Sequence, residues 1–385
     1  MPIRVLHLIT TLGRGGAERQ LVNLVCNTND EEFEHLVCYL TPPGDFSSEL
    51  KEAGRRVTCL NLPKKWPWMF APFSLIPVLR KHKPDIIQTW LLEADLAARL
   101  STFNRSIPII NTLHLTTYEP STIRAGGWPR WKMEILRQID RWTARLTKPL
   151  FVAVSETVRQ SAIKHLHVPP EDVRLIYNSI NQETLRSGPG DSTQLREEFA
   201  IPDSGFVYVN VGRLAPQKGQ SYLLRAFKQI AAQHPDTYLA FVGDGPLHGE
   251  LEALAKILEI SDRVRFLGRR RDIGACLEFG DAFVFPSLFE GLPLAPIEAM
   301  LKGLPCIGTR IGPMQEIVTN RENGLLVAHG SVSELADAMT EIYCDSELRQ
   351  KLASSGKRLA FERFDNAMGL RAWEQLYREV AEKRT

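Results

Sequence analysis

Residues 283–300 read Phe-Val-Phe-Pro-Ser-Leu-Phe-Glu-Gly-Leu-Pro-Leu-Ala-Pro-Ile-Glu-Ala-Met, and this stretch decides both the fold class and the kind of site to look for. An apolar run of strand length stops at Pro286-Ser287, and a carboxylate follows at Glu290. Gly291 then turns the chain, and a second carboxylate, Glu298, comes eight residues after the first. A buried strand feeding a helix through a glycine turn is the building unit of open α/β sheets, which bind ligands at the carboxyl ends of their strands. Two carboxylates flanking the turn repel phosphate but accept hydrogen bonds from hydroxyl groups. The segment points to a hydroxyl-rich ligand.

The same unit recurs on either side. Upstream, strands are predicted at Val5–Thr10, His35–Leu40, Val57–Leu60, Asp85–Trp90, Ile107–Leu113, Leu150–Val154 and Val173–Tyr177, with helical patterns such as Ala17–Val25 and Glu93–Leu100 between them. Several are near-continuous in Val, Ile and Leu, as strands buried on both faces of a parallel sheet must be. A second series begins at Phe206-Val-Tyr-Val-Asn-Val and runs through Tyr238–Val242, Val264–Leu267, Ala282–Phe285 and Pro305–Gly308. Between the two series the chain turns polar and rich in Gly, Pro and Ser. The reading is two doubly wound parallel-sheet α/β domains with a cleft between them, 1–182 and 205–365, joined by a linker at 183–204. A final helix, 366–385, is expected to cross back to the first domain. A chain of 385 residues suits two domains.

Composition narrows the class. With 24% charged and 44% apolar residues the chain is an ordinary soluble globular sequence. Its longest apolar runs are strand-length, short of the ~18 residues a membrane-spanning helix needs. The N-terminus enters a strand pattern without a leader-like segment. Six cysteines stand singly, with no Cys-x-x-Cys or Cys/His spacing, so neither a zinc site nor a disulfide framework is supported and the cytoplasm is the expected compartment. Residues 1–180 hold 23 Lys/Arg against 17 Asp/Glu, a net of +6, while the remainder is −4, which hints at an anionic partner for the first half.

Four loops add chemistry. Val211-Gly-Arg-Leu-Ala-Pro-Gln-Lys-Gly219 follows the first strand of the second domain, placing Arg213 and Lys218 in a glycine-bracketed loop that opens a helix. Two cations, close backbone approach and a helix N-terminus suit a diphosphate. Phe241-Val-Gly243-Asp-Gly-Pro ends the next strand as either a structural turn or a ligand-facing one, and Leu267-Gly268-Arg ends a third, where a nucleotide base could approach the backbone. In the first half, Leu12-Gly-Arg-Gly15-Gly16-Ala-Glu opens the first helix, and His114 ends the fifth strand. The chain has no Asp-x-Asp for a metal beneath a diphosphate, no G-x-x-x-x-G-K-[ST] loop and no G-x-S-x-G elbow.

In this order, Gly-Gly-Ala-Glu (15–18), His114, Val154-Ser-Glu, Tyr177-Asn, Val211-Gly-Arg…Lys-Gly, Gly-Asp-Gly-Pro (243–246), Phe266-Leu-Gly and Pro-Ser…Glu-Gly…Glu-Ala-Met (286–300) resemble the retaining family-4 glycosyltransferases of the GT-B fold, from about Ile3 to Arg363. The resemblance implies a hexose-type sugar moved from a nucleotide-diphosphate sugar, UDP- or GDP-linked, to a hydroxyl of a saccharide or lipid-linked saccharide, as in cell-envelope or exopolysaccharide synthesis. It assigns Glu290 to hydroxyls of the sugar and Glu298 to the ribose. Arg213 and Lys218 go to the leaving diphosphate without a metal cofactor. His114 goes beside the sugar, and the Gly15-Gly16 loop over the diphosphate from the opposite domain. Gly243, Gly268, Ser287, Gly291 and Leu292 complete the donor contacts. Three elements depart from the family: its Asn-Gly-Ile-Asp reads Asn178-Ser-Ile-Asn181, its Gly-Phe-Gly-Leu-Pro after the first Glu reads Gly291-Leu-Pro-Leu-Ala-Pro, nearer a Glu-Gly-Leu-Pro-Asn subgroup with Leu294 replacing Asn, and its Gly-Gly-Ile-Pro-Glu reads Ile311-Gly-Pro-Met-Gln-Glu316.

The acceptor side is expected on the first domain. Lys64-Lys-Trp-Pro-Trp-Met-Phe and residues 121–148, with Trp128, Trp131, Trp142 and seven Arg/Lys against two acids, interleave cations and aromatics. That pattern reads either as an anionic membrane surface, giving a peripheral protein, or as core residues with a wet basic face. Nucleic acid is not among the expected partners. Two rival functions share the scaffold: a nucleotide-sugar 2-epimerase, and a non-catalytic nucleotide-sugar-binding subunit.

Overall fold

The computed structural model describes residues 2–103 and 106–383. The chain divides into two compact units, Met1–Ser179 with Asn366–Thr385, and Ile180–Asp365.

The first unit is built on seven parallel strands: β1 (Ile3–Ile9), β2 (Phe33–Tyr39), β3 (Arg56–Cys59), β4 (Ile86–Trp90), β5 (Ile109–Leu113), β6 (Leu150–Ala153) and β7 (Val173–Leu175), in the order β3-β2-β1-β4-β5-β6-β7. Side chains alternate between the faces of a strand, and here each face has its own core. Val5, Ile9, Val37, Ile86 and Trp90 pack against the helices Gly16–Asn27 and Asn366–Glu382, the latter through Trp373, Leu376 and Tyr377. Leu6, Leu8, Cys38 and Ile87 pack the other way, against the helices Pro67–His82 and Leu92–Thr102. The winding direction reverses between β1 and β4.

One part of the second face is polar. Arg99 is fully buried: its Nε and one terminal nitrogen donate to Asn111 Oδ1 at 3.0 and 2.6 Å, and the other terminal nitrogen meets Asp140 Oδ1 at 2.5 Å. Tyr118 donates to the second oxygen of Asp140 at 2.8 Å. Nearby, Asp95 accepts from Thr89 and Asn111, and burial pushes its carboxyl up to about 7. A guanidinium survives in such a place because each of its three nitrogens finds an acceptor and Asp140 balances its charge.

The second unit carries six parallel strands: β8 (Phe206–Val211), β9 (Thr237–Val242), β10 (Val264–Gly268), β11 (Ala282–Phe285), β12 (Cys306–Thr309) and β13 (Leu325–Val327), in the order β10-β9-β8-β11-β12-β13. Its switch point lies between β8 and β11. Residues 183–204, read from composition as a linker, carry a 3-10 turn and a helix, Asp191–Glu198. They belong to this unit: Leu185, Leu195 and Ile201 are buried, and Arg196 donates to the carbonyls of Gly205 and Phe279. Three apolar anchors spaced through a polar stretch are enough to fold it down. Strand β13, three residues long, is too short to show a period and was not anticipated.

Candidate active site

In the second unit the loops after β8 and β11 meet at the switch point, where a parallel α/β sheet opens a crevice at its carboxyl edge. Gly219 has φ +66°, and a Cβ there would lie 2.2 Å from the Pro286 carbonyl oxygen, so only glycine lets the two loops touch. The contact is sealed by Leu288 N–H donating to the Gln217 carbonyl at 2.8 Å and Gln217 Nε2 donating to the Phe289 carbonyl at 3.0 Å. It brings Lys218 Nζ to 2.6 Å from Glu290 Oε1 and 5.0 Å above the Phe285 ring. Glu290 is only 7% exposed. A carboxylate so buried requires a cation, and Lys218 supplies it.

Around this pair several polar groups are left uncommitted by the protein. Arg213 is exposed and has no ion-pair partner among the described residues. Among the described residues Ser287 Oγ and Gln220 Oε1 are buried without a hydrogen-bond partner, while Thr309 holds the Ser287 carbonyl and Gln220 Nε2 donates to the Arg213 carbonyl at 3.0 Å. Gly243 has φ +138°, and its N–H donates to the Gly268 carbonyl at 2.8 Å. A Cβ on Gly243 would lie 2.1 Å from the Gly212 carbonyl oxygen, so the ends of β8, β9 and β10 form one tight glycine edge. Asp244 is taken up by structure: it caps its own turn at Gly245 N–H and pairs with Arg269 and His248. Gly291 is buried, Leu292 turns its side chain inward, and Glu298 is half-buried in the second turn of the helix Leu294–Leu301.

Sequence reading separated Lys218 and Glu290 into two roles; the structure places them in direct contact. It also adds residues that reading missed. Gln217 reaches Glu290 Oε2 at 3.4 Å, and Asn210 ties β8 to β11 by donating to the Val284 carbonyl at 2.8 Å. Asn210 carried a signal, being a polar residue inside the apolar run Phe-Val-Tyr-Val-Asn-Val.

In the first unit the loop after β1 is pinned by Leu12 N–H on the Pro43 carbonyl at 3.0 Å. Gly15 caps the helix Gly16–Asn27, with Gly16 exposed in its first turn. Glu18 in the same turn is buried, accepts from Thr11 at 3.2 Å, and its carboxyl is raised by that burial. His114 follows β5 and lines a small recess with Gln20, Asn23, Trp90, Thr112 and Trp373. Its Nε2 has no hydrogen-bond partner among the described residues, and burial lowers the imidazole to about 3, so the ring is neutral at physiological pH.

His7 and His35 are also buried, and burial lowers both, His35 to about 4. Below the ordinary histidine pKa of ~6.5 the unfolded chain binds protons at all three positions and the folded unit does not. Asp95, raised to about 7, acts in the opposite sense with one proton, and Glu18 and Glu93, raised by burial, join it closer to the ordinary carboxylate range. The first unit is therefore expected to lose stability as pH falls from ~6.5 toward ~4, each net proton contributing about 1.4 kcal/mol per pH unit. Urea melts at pH 7, 6 and 5 test this; a flat or rising midpoint would contradict it.

Comparison with known proteins places this geometry. A family model described as Glycosyl transferases group 1 matches residues 191–359, and one described as Glycosyltransferase Family 4 matches residues 14–184. The Escherichia coli UDP-Gal:alpha-D-GlcNAc-diphosphoundecaprenol alpha-1,3-galactosyltransferase is 29% identical over 71% of this chain and 70% of its own. The lipopolysaccharide core biosynthesis glycosyltransferase LpsD of Rhizobium meliloti is 28% identical over 96% of this chain and 97% of its own. Among solved structures, Anabaena HepE in complex with UDP and glucose superposes with a TM-score of 0.85 at 23% identity, covering 98% of this chain and all of that one. Two parallel-sheet units of this topology define the GT-B glycosyltransferase fold. Matched by both family models across most of its length, the chain belongs to the family-4 glycosyltransferases.

Proposed function

We propose that this glycosyltransferase retains anomeric configuration and moves a hexose-type sugar from a UDP- or GDP-sugar to a hydroxyl of a saccharide or lipid-linked saccharide in glycan synthesis. The observation that carries the proposal is the Lys218–Glu290 pair at the switch point of the second sheet, beside exposed Arg213 and the unpartnered Ser287 hydroxyl. On this reading Arg213 and Lys218 take the charge that builds on the departing diphosphate without a metal, which is the stabilisation the reaction most needs. Glu290 accepts hydrogen bonds from sugar hydroxyls and Glu298 from the ribose. Ser287, Gly291 and Leu292 contact the donor near the turn, and Gly243 and Gly268 give it close backbone approach. His114, neutral, presents Nε2 to the sugar, and Gly15 and Gly16 offer backbone to phosphate. The acceptor oxygen bonds to the anomeric carbon as the bond to the diphosphate breaks, and its proton passes to the departing phosphate oxygen. Support for the donor comes from the HepE complex with UDP and glucose and from the UDP-Gal in the name of the E. coli relative.

A peripheral position on an anionic membrane fits the first unit. The helix Arg130–Thr147 buries only Met133, Asp140, Thr143 and Ala144, while Trp131, Ile135, Trp142 and Leu146 are exposed along one stripe, with Lys132, Arg141 and Arg145 on the same helix. Trp66, Phe70 and Phe73 stand exposed at the start of the helix Pro67–His82. Among the described residues no helix is long and apolar enough to cross a membrane. Basic residues around exposed Trp suit a headgroup layer.

The test is release of nucleoside diphosphate from a panel of UDP-, GDP- and ADP-sugars with and without saccharide acceptors, on protein also sedimented with anionic and neutral vesicles. Acceptor-dependent release with transfer to product is expected, as is preferential pelleting with anionic lipid. Epimerised donor without transfer favours the isomerase reading, and donor binding without turnover favours a binding subunit.

A further inference from the structure

Trp90, the last residue of β4, is buried and stacks on His114 with ring centroids 5.2 Å apart and planes 22° from parallel. Trp373 of the last helix lies 6.3 Å from it. The Trp90 indole N–H donates to His7 Nδ1 at 3.4 Å, and His7 Nε2 lies 2.8 Å from His35 Nδ1. His35 Nε2 lies 2.7 Å from Thr28 Oγ1, and the Thr28 hydroxyl donates to the Leu24 carbonyl at 3.0 Å. An indole nitrogen only donates and a carbonyl only accepts, so both ends of the chain fix one direction. Each histidine must then be a neutral imidazole with its proton on Nε2. Protonating either would set two N–H groups face to face and break the chain. Burial, which lowers both groups, keeps them in that form.

Two sequence-distant histidines, a tryptophan and a threonine thus form a continuous polar line from the last turn of the helix Gly16–Asn27 through the core to the end of β4. The line has no place in the chemistry described above. What it does is set the plane of Trp90. His114 Nε2 has no protein hydrogen bond, so at that atom nothing but packing orients the ring, and the Trp90 face is the surface it packs on. We infer that Trp90 is a positioning residue for His114, held in register by the His7–His35–Thr28 chain. The inference rests on the reading of His114 as the group beside the transferred sugar.

The test uses the full chain. Trp90→Leu, which removes ring and N–H, is expected to lower kcat on the order of 10²-fold, since a misplacement of about 1 Å at a reacting group costs that much. Trp90→Phe, which keeps a ring and loses the N–H, should fall between it and the wild type. Donor KM and the Kd for UDP should stay within about twofold in both, because the ribose contact and both cations given to the diphosphate lie on the second unit. Loss of UDP binding in step with kcat would mean a global effect and overturn the inference, as would wild-type kcat in Trp90→Leu. Independently of any variant, ¹⁵N spectra of histidine-labelled protein should show His7 and His35 as neutral Nε2–H tautomers that do not titrate between pH 7 and 5.5. Nδ1–H forms, or titration near the ordinary value, would remove the chain. His114→Ala separates the two levels of argument. If it transfers at the wild-type rate, the role given to His114 is wrong. If it is inactive while Trp90→Leu is unimpaired, only the positioning role falls.

Discussion

Lys218→Ala is expected to lower kcat/KM by about 10²–10³, the cost of removing one preorganised group aimed at charge that develops in the transition state. The lysine is positioned for that task by geometry rather than by its own loop alone: the Gly219–Pro286 contact fixes the loop, and Phe285 and Glu290 fix the ammonium. The same contact means that the variant leaves Glu290 buried without its cation, so nucleotide affinity and turnover will both suffer. Glu290→Gln resolves the two contributions, since it keeps the shape and one acceptor oxygen while removing the charge. Transfer should fall more than binding of free UDP; equal losses would place Glu290 on the nucleotide. Because the partners are 2.6 Å apart, the double variant should cost less than the two single losses combined. Steady-state kinetics within threefold of wild type for Lys218→Ala would refute the assignment.

Arg99→Met carries the largest expected effect on stability. Asp140 would keep Tyr118 as a donor but lose the guanidinium, leaving a carboxylate buried without a cation, at a cost of about 3–5 kcal/mol. For a unit of this size that is on the order of 10 °C in Tm. Arg99→Met/Asp140→Leu should recover most of the loss, because an apolar pair replaces the ion pair without stranding a charge. A loss below about 1 kcal/mol in the single variant, by urea denaturation, would show that the ion pair does not anchor the unit. The consequence reaches the site, since Tyr118 lies four residues beyond His114 and Asp140 on the helix that exposes Trp131 and Trp142.

The fold was largely legible because parallel strands buried on both faces announce themselves as near-continuous apolar runs rich in Val, Ile and Leu. The strands Ile3–Ile9, Ile86–Trp90 and Phe206–Val211 were read to within two residues at each end. Residues 183–204 misled because composition averages over the few side chains that matter, Leu185, Leu195 and Ile201. Strand β13 was missed because three residues hold no period. The ambiguous helix at 130–147 shows the limit from the other side. Spacing alone let Trp131, Ile135 and Trp142 be either core or surface, and only the packing, with Met133 and Ala144 inward, put all three outside.

By itself the sequence determined the two-domain parallel architecture, the glycine turns and the types of group at the strand ends, because backbone permissiveness and apolar periodicity are local properties. Tertiary structure alone decided which of those groups touch. That Lys218 neutralises Glu290, that Arg99 is held by Asn111 and Asp140, and that His7 and His35 align behind Trp90 all depend on segments distant in sequence becoming neighbours in the fold. Charge pairing and hydrogen-bond direction act over a few ångströms, and that distance is set by the order of the strands rather than by the order of the residues.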